Sequence, residues 1–107
     1  MEFKETILRG SFIVDLSKLE DERGFFARAF CNEEFKNENL VSEIVQANIS
    51  FNKLKGTLRG MHYQKTPYQE TKFIRCIKGS IFDIIIDLRK ESPTYKKHFG
   101  IKLTAEN

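Results

Sequence analysis

The sequence predicts a mainly β fold of sandwich or barrel type, and three observations carry that expectation. Apolar residues recur mostly at every second position, in short runs separated by turn residues. One run, 81–88, is apolar on both alternating faces and carries two carboxylates on one of them, which suits a sandwich or barrel with a partly polar interior. No internal repeat points to a solenoid or propeller instead. A chain of 107 residues leaves too little sequence for two independent cores, so a single domain over 1–107 is expected.

The candidate strands are 11–16, 25–30, 44–51, 57–64, 72–77, 81–88 and 98–103. The first two flank the turn-like acidic stretch Asp21-Glu22-Arg23-Gly24. Between the second and third, Asn32-Glu33-Glu34-Phe35-Lys36 reads as a short helix, with Asn32 as its cap and acids in the first turn. The clearest strand is 44–51. Val45, Ala47, Ile49 and Phe51 form one face, and Gln46, Asn48 and Ser50 form the other. The apolar face is expected to be core. The polar face is either solvated or the lining of a cavity, and the pattern alone favours solvent, because antiparallel sheets often wet one face. In 81–88, Phe82, Ile84, Ile86 and Leu88 oppose Ile81, Asp83, Ile85 and Asp87, so both faces are expected to be covered. Lys78-Gly79-Ser80 is read as the tight turn joining this strand to 72–77 in a hairpin.

Hydrophobic residues make up 40% of the chain and charged ones 31%, with two prolines, which argues against a disordered or collagenous polypeptide. Eighteen basic against fifteen acidic residues leave +3, but the basic ones are scattered, so nucleic-acid binding is not expected. No apolar run approaches the roughly eighteen residues of a membrane helix. The start Met1-Glu2-Phe3-Lys4-Glu5 lacks the layout of a signal peptide, so the expected location is the cytoplasm, with no membrane partner. Cys31 and Cys76 lie far apart with no ligand spacing and are read as reduced thiols.

The densest polar cluster is Leu58-Arg59-Gly60-Met61-His62-Tyr63-Gln64, followed by Lys72. An imidazole titrates near neutral pH and can take a proton from carbon if a nearby cation holds the charge that develops. His62 is therefore a candidate base, beside the plainer reading of an exposed histidine. Lys72 shares a face with Ile74 and Cys76, which places its amine at the mouth of an apolar interior or leaves it as a snorkelling surface lysine. Arg23 and Arg59 are candidate anion ligands if the fold makes them converge, because two guanidinium forks match phosphate oxygens. A metal site is not expected. The position of a His-x-His pair reads His62-Tyr63-Gln64, and His62 with Glu70 leaves two ligands where three are usual.

Four strings, Asp21-Glu22-Arg23-Gly24-Phe25-Phe26, Gln46-Ala47-Asn48-Ile49-Ser50, Gly56-Thr57-Leu58-Arg59-Gly60-Met61-His62-Tyr63-Gln64 and 79–89 with Ser92-Pro93-Thr94, run in order along nearly all of the chain. Together they closely resemble the dTDP-4-dehydrorhamnose 3,5-epimerase family of the cupin superfamily. The resemblance implies a cupin-type jelly roll, no metal and no cofactor, and a homodimer. It also implies an activity: inversion of C3 and C5 of a 4-keto-6-deoxyhexose carried on dTDP, toward dTDP-L-rhamnose. By the same resemblance His62 is the base and Lys72 stabilises the enolate oxygen. Arg23 and Arg59 match residues that bind the diphosphate and sugar, Phe26 lies against the nucleotide, and Gln46 and Asn48 line the pocket. That implication reverses the preference for a solvated Gln46–Asn48 face.

Two departures from the family are visible. Arg28 stands where many members have Glu, turning an acceptor near the nucleotide into a cationic donor. Family members also continue past Thr104-Ala105-Glu106-Asn107, through the tyrosine that acts as general acid and the aspartate that partners the histidine. The C-terminal part of the family fold is thus expected to be absent here, and a non-catalytic module that only binds a nucleotide sugar is the alternative to an epimerase. One local expectation follows from parity. In a regular strand Arg59 and His62, three apart, face opposite ways, so a shared pocket requires an irregularity or an end of pairing near Gly60 and Met61.

Overall fold

The computed structural model describes residues 1–107. The elements in order are β1 (Glu2–Glu5), β2 (Phe12–Asp15), β3 (Leu19–Asp21), β4 (Gly24–Phe26), α1 (Asn32–Asn37), β5 (Ser80–Ile86) and β6 (His98–Thr104). They form three antiparallel ribbons, β1 with β2, β3 with β4, and β5 with β6. In the last, Ser80 pairs Thr104 and Ile86 pairs His98. No helix is long and apolar enough to cross a membrane.

The strands expected over 11–16, 81–88 and 98–103 correspond to β2, β5 and β6. The one expected over 25–30 is realised only at its start, as β4. The segments 44–51, 57–64 and 72–77 join no ladder, so the hairpin expected across Lys78-Gly79-Ser80 does not form and β5 pairs with β6 instead. The alternation in 44–51 is real but lacks a partner: Val45 is 87% and Ile49 86% exposed. Both faces of β5 were expected to be covered, and this is corrected too. Phe82 is 68% exposed and Ile84 39%, because no second layer of these 107 residues lies across the ribbon.

Only Leu8, Phe35, Cys76 and Asp87 are buried. The Cα radius of gyration, 15.4 Å, exceeds the roughly 13 Å of a close-packed chain this long. What packing exists has two centres. In the first, α1 presents Phe35 to three other rings, Phe30 at 4.9 Å, Phe73 at 5.2 Å and Phe3 at 5.3 Å between centroids, within the range of favourable edge and tilted contacts. Glu33 and Glu34 occupy the first turn of α1 as expected, but the cap position is Cys31, with no side-chain bond. Asn32 lies inside the helix, and its amide donates to the Ser42 carbonyl at 3.0 Å instead. In β6, Gly100 permits a close crossing. A Cβ there would come within 2.8 Å of the Phe82 ring, so glycine lets that ring lie across the ribbon.

The second centre is polar. Asp87, just past β5, accepts from Arg89 Nε and Nη2, both at 2.8 Å, from Ser92 Oγ at 2.6 Å and from Thr94 Oγ1 at 2.7 Å. Its backbone closes the 87–97 loop through bonds with Lys96 and Lys97. The Arg89 guanidinium, followed by the Ser92 and Thr94 hydroxyls, holds this carboxyl far below the usual carboxylate range. Because folding lowers its pKa, the network's contribution is complete above about pH 4, the unfolded value, and drains away as the pH falls further. Asp87→Asn is expected to lower the melting temperature at pH 7 by about 5 °C. The acid dependence due to Asp21 and Glu34, whose carboxyls are likewise lowered by their cationic partners, should remain in the variant. Thermal melts between pH 7 and 2 check this, and an unchanged acid slope in the variant would place the depressed carboxylate elsewhere.

Candidate functional site

The β3–β4 ribbon supplies the first group of candidate residues. Its turn carries Arg23, whose backbone N–H donates to Asp21 Oδ1 at 2.9 Å and whose guanidinium forks onto the same carboxylate. An aspartate two residues ahead of a backbone donor is a local turn-forming pattern, so the sequence itself fixes this corner. Arg23 and Phe26 line a groove of about 420 Å³ with Leu19, Glu20, Asp21 and Phe25. The Phe26 ring is 74% exposed and free to take a flat partner. Lys18 Nζ sits 4.8 Å over the neighbouring Phe25 ring. Two residues past β4, Arg28 Nη1 donates to Glu34 Oε1 at 2.7 Å.

The segment between α1 and β5 supplies the rest. Gln46 Nε2 donates to Asn48 Oδ1 at 3.3 Å, as residues two apart on one face of an extended chain can. Arg59 Nε donates to Asn52 Oδ1 at 2.7 Å. Pairing is absent through 57–64, and Gly60 sits at φ +107, a conformation that favours glycine. No strand forms here, so strand parity does not apply to Arg59 and His62, and Arg59 is bonded to Asn52 rather than to His62. The Gly60–Met61 and Thr66–Pro67 peptides are cis. His62 is exposed, and no hydrogen bond of Arg23, Arg28, Gln46, Asn48 or Arg59 is directed to it.

Lys72 is half-exposed, with Nζ 3.1 Å from Glu70 Oε1. Of the face it was expected to share with Ile74 and Cys76, only Cys76 is buried. The apolar interior that its amine was to adjoin is therefore not formed around it. The structure thus joins the candidate residues in local pairs, Arg23 with Asp21, Arg28 with Glu34, Gln46 with Asn48, Arg59 with Asn52 and Lys72 with Glu70. No bond links one pair to another.

Four of those partners, Asp21, Glu34, Asn52 and Glu70, were not read as site residues from the sequence, Glu70 having been weighed only as a metal ligand. Signals existed for Asp21 and Glu70, each two residues ahead of its cation, and for Glu34, an acid in the first turn of a short helix six residues after Arg28. For Asn52 the contact depends on how an unpaired segment folds back, which alternation does not encode.

Comparison with known proteins covers nearly the whole chain. Residues 5–107 match the family model described as dTDP-4-dehydrorhamnose 3,5-epimerase. The protein of that name from Shigella flexneri is 47% identical over 88 residues, which cover 81% of this chain and 48% of that one. Its namesake from Methanothermobacter thermautotrophicus is 40% identical over 105 residues, 98% of this chain and 56% of that one. The crystal structure of the Bacillus anthracis protein of the same name, solved with TDP and PPi bound, superposes with a TM-score of 0.93 at 36% identity. That match covers 99% of this chain and 61% of that chain. The chain spans about half the length of the curated relatives it matches. The likeness fixes the fold class as mainly β, of cupin type.

Proposed function

The chain belongs to the dTDP-4-dehydrorhamnose 3,5-epimerase family, and from that premise we propose that it takes part in epimerising C3 and C5 of a dTDP-4-keto-6-deoxyhexose. The observation that carries the reading is the Leu58–Gln64 string, held out of any ladder with Gly60 at its bend, so that Arg59 and His62 are both presented to solvent. A ketone at C4 acidifies the C–H bonds on either side of it, so one base beside one oxyanion site can serve both centres. His62 removes the proton and leaves an enolate whose oxygen carries the charge. The Lys72 ammonium stabilises that oxygen. Its pairing with Glu70 is exposed, and such pairs contribute only about 0–1 kcal/mol, so the amine is free to exchange one anionic partner for another.

Arg59 and Arg23 bind the diphosphate, Phe26 stacks on the nucleotide base, Gln46 and Asn48 hydrogen-bond the sugar, and Arg28 contacts the nucleotide. No residue of the chain is assigned as general acid or as the carboxylate partner of His62. No metal and no cofactor enter the reaction. The remaining parts of the proposal are one domain over 1–107, a homodimer, and a place in the cytoplasm without membrane or nucleic-acid partners.

The test is proton exchange. The substrate in deuterated water should gain deuterium at C3 and C5 in the presence of the protein, read by NMR. The open packing around Lys72 favours a second reading, a module that binds the nucleotide sugar without turning it over. Binding without exchange would select it.

A further inference from the structure

Between Glu43 and Glu70 the chain carries no acidic residue, and the intervening stretch 44–69 holds Lys53, Lys55, Arg59 and Lys65. Four of the eighteen basic residues lie here, which leaves fourteen against fifteen acidic ones in the rest of the chain, so the whole positive excess of the molecule belongs to this stretch. The fold does not bring carboxylates to it either. Every ion pair of the molecule draws its cation from elsewhere, among them Arg23 with Asp21, Lys72 with Glu70 and Arg89 with Asp87.

One hydrogen bond organises the centre of the stretch. Arg59 Nε donates to Asn52 Oδ1 at 2.7 Å, which closes the loop 52–59 at its base, and Thr57 Oγ1 donates to the Leu54 carbonyl at 2.7 Å inside it. Lys53 and Lys55 thus share a closed loop with Arg59. The closing bond takes Nε alone, whereas Arg23 and Arg89 commit Nε and Nη2 together to a carboxylate. An amide oxygen orients a guanidinium without cancelling its charge, and the edge formed by Nη1 and Nη2 stays open for two oxygens of one anion. We propose that Asn52 is a positioning residue, which fixes Arg59 through a neutral acceptor and so keeps the acid-free loop 52–59 fully charged toward the diphosphate of the ligand. This rests on the reading of the site given above, in which Arg59 binds that group.

Calorimetric titration of the chain with dTDP and with inorganic pyrophosphate, at low and at high salt, tests it. Asn52→Asp keeps the shape and the bond but supplies the missing carboxylate. It should weaken both ligands about tenfold, the margin of a charged over a neutral hydrogen bond, and make their affinities fall less steeply with salt. Asn52→Ala leaves the charge and frees the side chain, so it should cost only about threefold, the ordering of one long side chain on binding, with the salt dependence unchanged. A merely structural role for Asn52 gives the reverse order, Asn52→Ala weaker than Asn52→Asp, with no change in salt dependence, and that result overturns the proposal. If Asn52→Ala does not fold, Asn52→Asp decides, and unchanged affinity and salt dependence in it overturn the proposal. Failure of the unsubstituted chain to bind either ligand, or binding that Arg59→Gln leaves unchanged, overturns the reading of the site and this inference with it. Binding that Arg59→Gln weakens and Asn52→Asp does not overturns the role of Asn52 alone.

Discussion

His62→Ala is expected to abolish solvent deuterium entry at C3 and C5 of the keto sugar, measured in any form of the protein that turns over, while dTDP affinity stays within a few-fold. A positioned general base contributes about 10²–10⁴ in rate, and no other imidazole is near it in sequence, His98 lying in β6. Binding should survive because the hydrogen bonds of the ligand-binding candidates do not run through the ring. Arg59 is held by Asn52, Gln46 by Asn48 and Arg23 by Asp21, each without His62. Loss of binding and exchange together would make His62 a ligand contact or a structural residue, and near-normal exchange would remove it from the mechanism.

What could be read in the sequence follows the range over which each feature is determined. β5 and β6 show strong alternation, and Asp87, Arg89, Ser92 and Thr94 organise the 87–97 loop between them, though their mutual pairing was not read. The helix at 32–37 was similarly local, and only its cap was misplaced, because Asn32 found a better acceptor in Ser42. The segments 44–51 and 57–64 show that alternation specifies two faces but not a neighbour. A strand needs a second chain segment for its backbone donors and acceptors, and neither segment meets one in the fold.

For the site, the residue types and their order were legible, since Arg59, His62 and Lys72 stand in one stretch. The irregularity expected at Gly60 rested on a shared pocket for Arg59 and His62, not on parity by itself, and the whole of 57–64 is unpaired. The pairing of a cation was legible only where an acid lies two residues ahead, at Arg23 with Asp21 and at Lys72 with Glu70. Asn52 reaches Arg59 by folding of the chain, and no periodicity records that.

Lys72→Ala is expected to lower turnover by about 10²–10³, the loss of one oxyanion donor at about 2.7–4 kcal/mol in the barrier, with dTDP binding little changed. The structure adds a second arm to the experiment. Lys72 Nζ lies 3.1 Å from Glu70, so the carboxylate competes with the enolate oxygen for the same ammonium. In the ground state the keto sugar carries no charge at C4 and Glu70 holds the amine. As the proton leaves carbon, the oxygen becomes the stronger partner. Glu70→Gln should therefore leave the mechanism intact and, if it changes the rate, raise it by no more than the few-fold that an exposed pair supports. The two variants together should be as slow as Lys72→Ala alone, because removing a competitor has no effect once the donor is gone. A Glu70→Gln loss as large as that of Lys72→Ala would mean that the carboxylate orients the amine rather than competing for it. Full turnover in Lys72→Ala would assign the oxyanion to another donor, and Arg59, bonded only to a neutral amide, is the one to substitute next.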